Sequence, residues 1–358
     1  MLRYIFQKIF YGFLTLLGVI TVVFFLFTVL PGDPARMMLD QKEDPEQLAL
    51  IRKNLGLDQP LLKQYGYYLN DLSPISFHAK TGDSYTSLES GKYHYTTLIP
   101  LGDNSMVLKN PYMRVSFQKQ GKLVSDIIKE TLPNTLILAV SAITFAIIIG
   151  VLLGIWSALV KDSWIDRSLL VLTSFGMSTP SFFSAIIIGY IFAFLLHNFT
   201  GLSMTGSLFE IDDMGEGKHL ALQNLILPAI TLGIRPLAVI SQLTRNSLLE
   251  VLNQDFIRTA YAKGLSSREV IYKHALRNAL NPVITATSGW FASMLAGAVF
   301  VEFIFGWNGL GKEIVTALNN LDLPIVMGAV LIIATTFIII NILVDLLYGI
   351  LDPKVRIN

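Results

Sequence analysis

The sequence predicts an all-α membrane protein with six transmembrane helices, a large extracytoplasmic segment after the first and a polar cytoplasmic loop between the fourth and fifth. Three observations carry this. Only 15% of the 358 residues are charged while 53% are hydrophobic, against roughly 25% charged in a soluble domain. The missing charge is concentrated in long apolar runs rather than spread evenly, so lipid is the solvent for much of the chain. Finally, among the short connections lysines and arginines collect in alternate ones, the bias that marks cytoplasmic loops.

A helix rises about 1.5 Å per residue and the hydrocarbon core is about 30 Å thick, so a span takes roughly 20 apolar residues. The candidates are Ile9 to Leu30, Thr135 to Val160, Ser168 to Leu196, Leu225 to Leu243, Pro282 to Phe305 and Pro324 to Leu351. Pro180 breaks the third, and the fourth carries Arg235 and Pro236. The first run, about 22 residues with no A-x-A site after it, exceeds the roughly 7 to 15 of a signal peptide and reads as a retained anchor.

Arg3 and Lys8 precede the first span, and Lys161 and Arg167 join the second to the third. Arg245, Arg258, Lys263, Arg268, Lys273 and Arg277 lie between the fourth and fifth, and Lys354 and Arg356 follow the sixth. All fall on one side, which puts both termini in the cytoplasm. The connection after the third span, with Glu210, Asp212, Asp213 and Glu216 against Lys218, is placed outside.

Three regions follow: 1–70, the first helix and an ordered external segment; 71–134, an enlarged external insertion; and 135–358, the transmembrane core. Pro45 to Leu57 sets Leu48, Ile51 and Leu55 at helical spacing. Residues 73–125 hold short β-prone stretches such as Tyr93 to Ile99, read either as a small β-structure or as loops.

The absence of cysteine excludes disulfides, thiolate metal sites and a cysteine nucleophile. A net charge of +1 gives no basis for nucleic-acid binding. His78, His94, His197, His219 and His274 show no metal-ligand spacing, and no G-x-x-x-x-G-K-[ST] stretch is present. An intramembrane enzyme needs paired acids, Ser with His, or metal ligands inside the spans, and none stand at useful spacing. A membrane receptor is permitted by residues 31–134, but six spans and a polar cytoplasmic loop exceed what an anchor requires. ATP-dependent uptake separates a transporter from both.

That loop, Asp255 to Pro282, is too polar to span and reads as two short helices. Asp255 to Lys263 forms the first, Gly264 supplies a left-handed break, and Ser266 or Ser267 caps the second with Glu269 in its first turn. Phe256, Ala260, Leu265, Val270, Ile271 and Leu276 are expected as apolar knobs among basic residues. The residues alone leave two readings: docking into a groove on a soluble partner, or lying on an anionic lipid surface.

Within the spans, Arg235 reads as pathway-lining, meeting solute carboxylates, or as half of a structural ion pair. Ser178, Thr179 and Pro180 read as pathway-lining or a hinge, or as a packing kink held by the hydroxyls. Trp307, in the turn Phe305 to Lys312, reads as an interfacial anchor. Glu302 and Asp345 read as structural, Asp345 pairing with a cytoplasmic-side base.

Arg258, Thr259, Ala260 and Gly264 fall on the E-A-A, three residues, Gly spacing, with Arg258 in place of the Glu, and HALRNAL-x-P follows at His274 to Pro282. With LPGDP at Leu30 to Pro34, LGLDQPLLKQY at Leu55 to Tyr65, STPSF at Ser178 to Phe182, LILPAITLG at Leu225 to Gly233 and LDPKVR at Leu351 to Arg356, the chain resembles permease subunits of bacterial ATP-binding-cassette importers of the dipeptide/oligopeptide/nickel type. The resemblance implies an inner-membrane subunit forming half of a pathway for peptides or related solutes. Its partners are a second homologous permease, two ATPase subunits that use the ATP, and an extracytoplasmic solute-binding protein. The chain itself takes no cofactor and is no enzyme. Arg258, Thr259, Ala260, Gly264, Leu265 and His274 then belong to the loop that docks an ATPase. The turn at Phe305 to Lys312 departs from the family's P-G-L-G, which leaves no external-gate role assigned to it.

Overall fold

The computed structural model describes residues 2–29, 35, 45–80, 84–119, 121–211 and 217–351. Leu30 to Pro34, Asp212, Asp213, Glu216, Lys354 and Arg356, on which parts of the sequence reading rest, lie outside them. The chain divides into two compact units, residues 1–10, 131–315 and 335–358 in one and 11–130 and 316–334 in the other.

The helices are α1 (Leu2–Val29), α2 (Pro45–Leu55), α3 (Leu61–Leu72), α4 (Val124–Leu159), α5 (Trp164–Ser178) and α6 (Ser181–Ile188, continued as a wider π-helix over Gly189–Leu195). After α7 (Gln223–Leu252) come α8 (Asp255–Ala262) and α9, which begins at Ser267–Glu269, widens over Val270–Ala275 and ends at Leu276–Ala279. Then follow α10 (Asn281–Ile304), α11 (Leu310–Asn319) and α12 (Leu323–Leu351). The all-α expectation is corrected by strands β1 (Ile75–Ala79), β2 (Tyr95–Leu101) and β3 (Asn104–Lys109), and by a hairpin of β4 (Phe209–Ile211) with β5 (Lys218–Leu220).

Among the described residues five helices are long and apolar enough to cross a membrane; the count is six only if α5 and α6, bent by 113° at their junction, act as one span. Pro180 causes the bend: it offers no N–H to α5, and the residue before it, Thr179, is forced extended (φ −80°, ψ 128°). Ser178 and Thr179 donate their hydroxyls back to the carbonyls of Ser174 (2.9 Å) and Phe175 (2.6 Å). The hydroxyls thus stabilise the break from within α5, as the kink reading requires.

In the first unit α7 is the central helix, packed against α5, α6 and α10. It is also the most enclosed span, with 61% of its window buried against 11–33% for the other four, and it shares with α10 the lowest mean hydropathy, 1.5 against 2.5–2.9. Glycines let α4 approach it. A Cβ on Gly150 would lie 2.9 Å from the Leu237 carbonyl, and one on Gly154 2.5 Å from that of Ser241. From the other side, a Cβ on Gly233 would lie 2.8 Å from the Ala142 carbonyl. Without a hydrophobic drive between helices in lipid, such small-residue contacts supply the packing.

In the second unit, Phe24 of α1 packs on Tyr65 and Tyr68 of α3 at ring separations of 5.2 and 5.5 Å. The sheet is antiparallel in the order β1-β3-β2. Beside it, fully buried Asp71 accepts from the hydroxyls of Tyr85 (2.7 Å) and Tyr93 (2.9 Å) and from Arg114 Nε (3.4 Å), while Lys109 Nζ donates to its carbonyl. Asp322 is likewise enclosed, accepting from Ser116 Oγ and from the N–H groups of Phe117 (3.1 Å) and Gln118 (3.2 Å).

Burial holds Lys109 down at about 8 from an ordinary 10.5, opposed by the nearby Asp71. Burial also pushes the phenol of Tyr68 up to about 12 and those of Tyr85 and Tyr93 higher still. Between about pH 8 and 10.5 the unfolded lysine binds a proton that the folded one has lost, so stability rises with pH there; above about pH 10 the unfolded tyrosines ionise first and the sign reverses. The unfolding temperature of this unit, followed by near-ultraviolet dichroism of the chain in detergent, is expected to rise from pH 8 to about 9.5 and fall above about 10. A steady fall from pH 8 upward would contradict it.

Candidate functional site

The polar loop folds largely as its sequence dictates. Asp255 stands in the first turn of α8, favourable to the helix dipole. Gly264 adopts φ +80° and breaks the chain. Ser266 then caps α9: its hydroxyl accepts from the Glu269 N–H (3.4 Å) and donates to the Glu269 carboxylate (3.2 Å). Lys273 pairs with Glu269 at 3.2 Å, one turn on.

One face of this helix pair is clamped to the membrane core. Ile257, Ala260, Val270, Ala275 and Ala279 are buried with Ile155 and Ala158 of α4 and Leu248 of α7, and Leu265 and Leu276 pack at the edge. The expectation that Ala260 and Val270 project outward as knobs is therefore corrected: both are spent on seating the loop. The outward face is instead Phe256, Arg258, Thr259, Tyr261, Lys263, Gly264, Tyr272, Lys273, His274 and Arg277. Arg258, Thr259, Gly264 and His274 thus stand where a partner can reach them, Leu265 is half-buried, and the exposed aromatics Tyr261 and Tyr272 went unread in the sequence.

Beneath the loop, Arg245 of α7 grips Asp166 of α5 with both ends of its guanidinium, Nε at 2.7 Å and Nη2 at 2.6 Å. Asp166 also accepts from Ser157 Oγ of α4 and from the Asp162 N–H at 3.0 Å. Three helices are thereby tied at one carboxylate. The sequence signal was local: Ser163 caps α5 and accepts from the Asp166 N–H, three residues on.

Midway along α7 lies a second polar locus, a cavity of about 70 Å³ lined by Thr179, Ser181, Ser184, Thr231, Leu232, Arg235, Trp290 and Ser293, among others. Arg235 is exposed, has no carboxylate within ion-pair reach among the described residues, and lies over the Trp290 ring at 5.7 Å. Ser178 and Pro180, read from the sequence as pathway-lining or a hinge, are not in the lining of this cavity; their neighbours Thr179 and Ser181 are.

Trp307 is fully buried and donates Nε1–H to the Asn134 carbonyl at 3.0 Å, which corrects its reading as an interfacial anchor. Glu302 is structural as expected: it accepts from the N–H groups of Gly311 (2.7 Å) and Lys312 (3.1 Å) and caps α11. Asp345 pairs with Lys8 at 2.7 Å. Among the described residues no group of three or more His, Asp or Glu side chains is placed to hold a metal.

Residues 150–357 match the family described as binding-protein-dependent transport system inner membrane component, and residues 1–85 match its N-terminal counterpart. A dipeptide transport system permease protein of Alkalihalophilus pseudofirmus is 35% identical, over 99% of this chain and 100% of that protein. A di/tripeptide transport system permease protein of Pseudomonas aeruginosa is also 35% identical, over 96% of this chain and 95% of that one. Among solved structures, a chain of an inward-facing methionine ABC transporter aligns with 65% of this chain and 96% of its own length, at 16% identity and a TM-score of 0.47.

Proposed function

Since the chain belongs to the binding-protein-dependent transport-system inner-membrane family and is a permease subunit of an ABC importer, we propose that it carries short peptides inward, docking an ATPase through the outer face of α8 and α9. The observation that carries the coupling is the division of that helix pair into two faces. One is buried on α4 and α7, and the other presents Phe256, Tyr261 and Tyr272 among Arg258, Lys263, Lys273 and Arg277. A surface so built delivers aromatic anchors to a groove on a soluble partner. Because its buried face is continuous with the spans, movement of the partner moves α7 with it.

The names of the relatives support peptides as the solute. In this reading two homologous permeases form the pathway, and a binding protein delivers peptide at the outer face, to which residues 71–134 contribute. Both termini lie in the cytoplasm, with α5 and α6 together making the third of six spans. ATP bound by the partner ATPases favours one arrangement of the spans and its hydrolysis releases the other, which is alternating access driven by differential affinity.

Co-purification tests the docking face. Proline, held near φ −65°, cannot adopt the φ of +80° at Gly264. The native chain, extracted in mild detergent, is expected to bring down a second permease and ATPases. Gly264→Pro is expected to keep the permease and lose the ATPases. A variant that retains ATPases at native yield would remove the docking role, and a native chain that recovers none would remove the coupling assignment.

A further inference from the structure

We propose that the cavity around Arg235 is a carboxylate-binding subsite that holds the C-terminal carboxylate of the peptide as it passes, an inference that rests on the peptide-importer reading above. Arg235 stands 12 residues into α7, about 18 Å along the axis at about 1.5 Å per residue, well within a hydrocarbon core about 30 Å thick. A cation at that depth faces a water-filled cavity or takes a partner, and the described residues supply only the face of Trp290. A guanidinium over a ring at that distance keeps its N–H groups for a second ligand.

The surroundings are built for an anion. One turn before Arg235 on the same face, Thr231 is 2% exposed, lines the cavity, and its Oγ1 has no hydrogen-bond partner among the described residues. A buried hydroxyl left unpaired calls for a ligand that accepts from it. Opposite, the Pro180 break starts α6 at the cavity wall with no side chain capping its first turn, and Ser181 and Ser184 line the space. The positive end of a helix dipole, a guanidinium and several hydroxyls therefore converge on one small space. At about 70 Å³ the cavity has room for a carboxylate with accompanying water. The group such a subsite reads is the one that all linear peptides share.

The test uses the full transporter, with its binding protein, in liposomes. Uptake is compared for a dipeptide and for the same dipeptide with its C-terminus amidated. Selection by the binding protein is common to native and variant transporters, so it cancels in the ratio of their acid-to-amide preferences. Arg235→Gln is expected to cut acid uptake about ten- to a hundredfold, the range of a lost charge-assisted hydrogen bond, and to collapse the acid-to-amide preference. Thr231→Val, close in shape, is expected to lower the same preference several-fold. An unchanged preference in both variants would overturn the subsite. Loss of assembly with the second permease in Arg235→Gln, with the preference kept in Thr231→Val, would overturn it in favour of an ion pair between subunits. If the native transporter takes up neither peptide, the peptide reading fails; if it takes up both and the variants match it, only the subsite fails.

Discussion

Arg245→Ala is expected to lower the stability of the transmembrane core by about 3–5 kcal/mol, the cost of stranding one member of a buried ion pair. Asp166 is 1% exposed and takes two bonds from Arg245 besides those from Ser157 and the Asp162 N–H. Removing the guanidinium leaves a carboxylate enclosed among three helices with its charge unanswered. Arg245→Lys is expected to recover only part of the loss, because an ammonium cannot reach both oxygens in the fork geometry. Replacing both partners by Met and Leu is expected to recover most of it, since the desolvation of the pair then disappears together with its attraction. Unfolding in detergent measures all three. A loss below about 1 kcal/mol for Arg245→Ala would mean that the pair behaves as a hydrated surface contact. The pair also anchors α7 just before the polar loop, so, if that loop docks the ATPase as proposed, the same variant is expected to reduce coupled uptake more than binding of the ATPase.

Gly154→Val is expected to be comparably damaging for a steric reason. A Cβ there would lie 2.5 Å from the Ser241 carbonyl and 2.6 Å from the Thr244 Cβ. The obstacle is helix backbone and a β-branched stem, neither of which can swing aside, so α4 and α7 must separate. Overpacking of this kind costs about 1–3 kcal/mol or more, and here it opens a contact on which much of the helix packing depends. Gly289 provides the contrast: nothing lies within 4 Å of its added Cβ, so Gly289→Ala is expected to be neutral or slightly stabilising through helix propensity. The yield of folded, monodisperse protein after extraction distinguishes them. Equal yields would mean that α4 and α7 do not depend on this close approach.

What the sequence made legible was local. Apolar runs located the long apolar helices and the bent pair α5–α6, and Gly264 and Ser266 punctuate the loop, because a left-handed break and a capping hydroxyl act within a few residues. The helical period of the loop identified an apolar stripe but not which side of it was already occupied, so Ala260 and Val270 were assigned outward when α4 and α7 cover them. Trp307 followed the general preference of tryptophan for the interface, yet a buried acceptor at Asn134, remote in sequence, draws it inward. The partners of Asp71 at Tyr85, Tyr93 and Arg114, and that of Asp166 at Arg245, are equally non-local. Ser178 and Pro180 mark the place of the break, while their neighbours Thr179 and Ser181 line the cavity beside Arg235 and the hydroxyl of Ser178 turns back onto its own helix.

The low hydropathy and high enclosure of α7 bear on how the chain is made. At a mean hydropathy of 1.5, and with an arginine in mid-span that alone opposes lipid insertion by about 2.5–3.5 kcal/mol, this segment is a poor substrate for release from the translocon by itself. Its glycine-lined contact with α4 offers a sheltered berth as soon as it emerges, whereas the covering by α10 arrives only when Ile304 has been synthesised. That delay is roughly 50 residues, or about 3–10 s at bacterial elongation rates of about 5–20 residues per second. During that interval the helices that can cover α7 are those made before it, α4, α5 and α6, so substitutions that spoil their surfaces toward α7 are expected to act on the nascent chain before they act on the finished transporter.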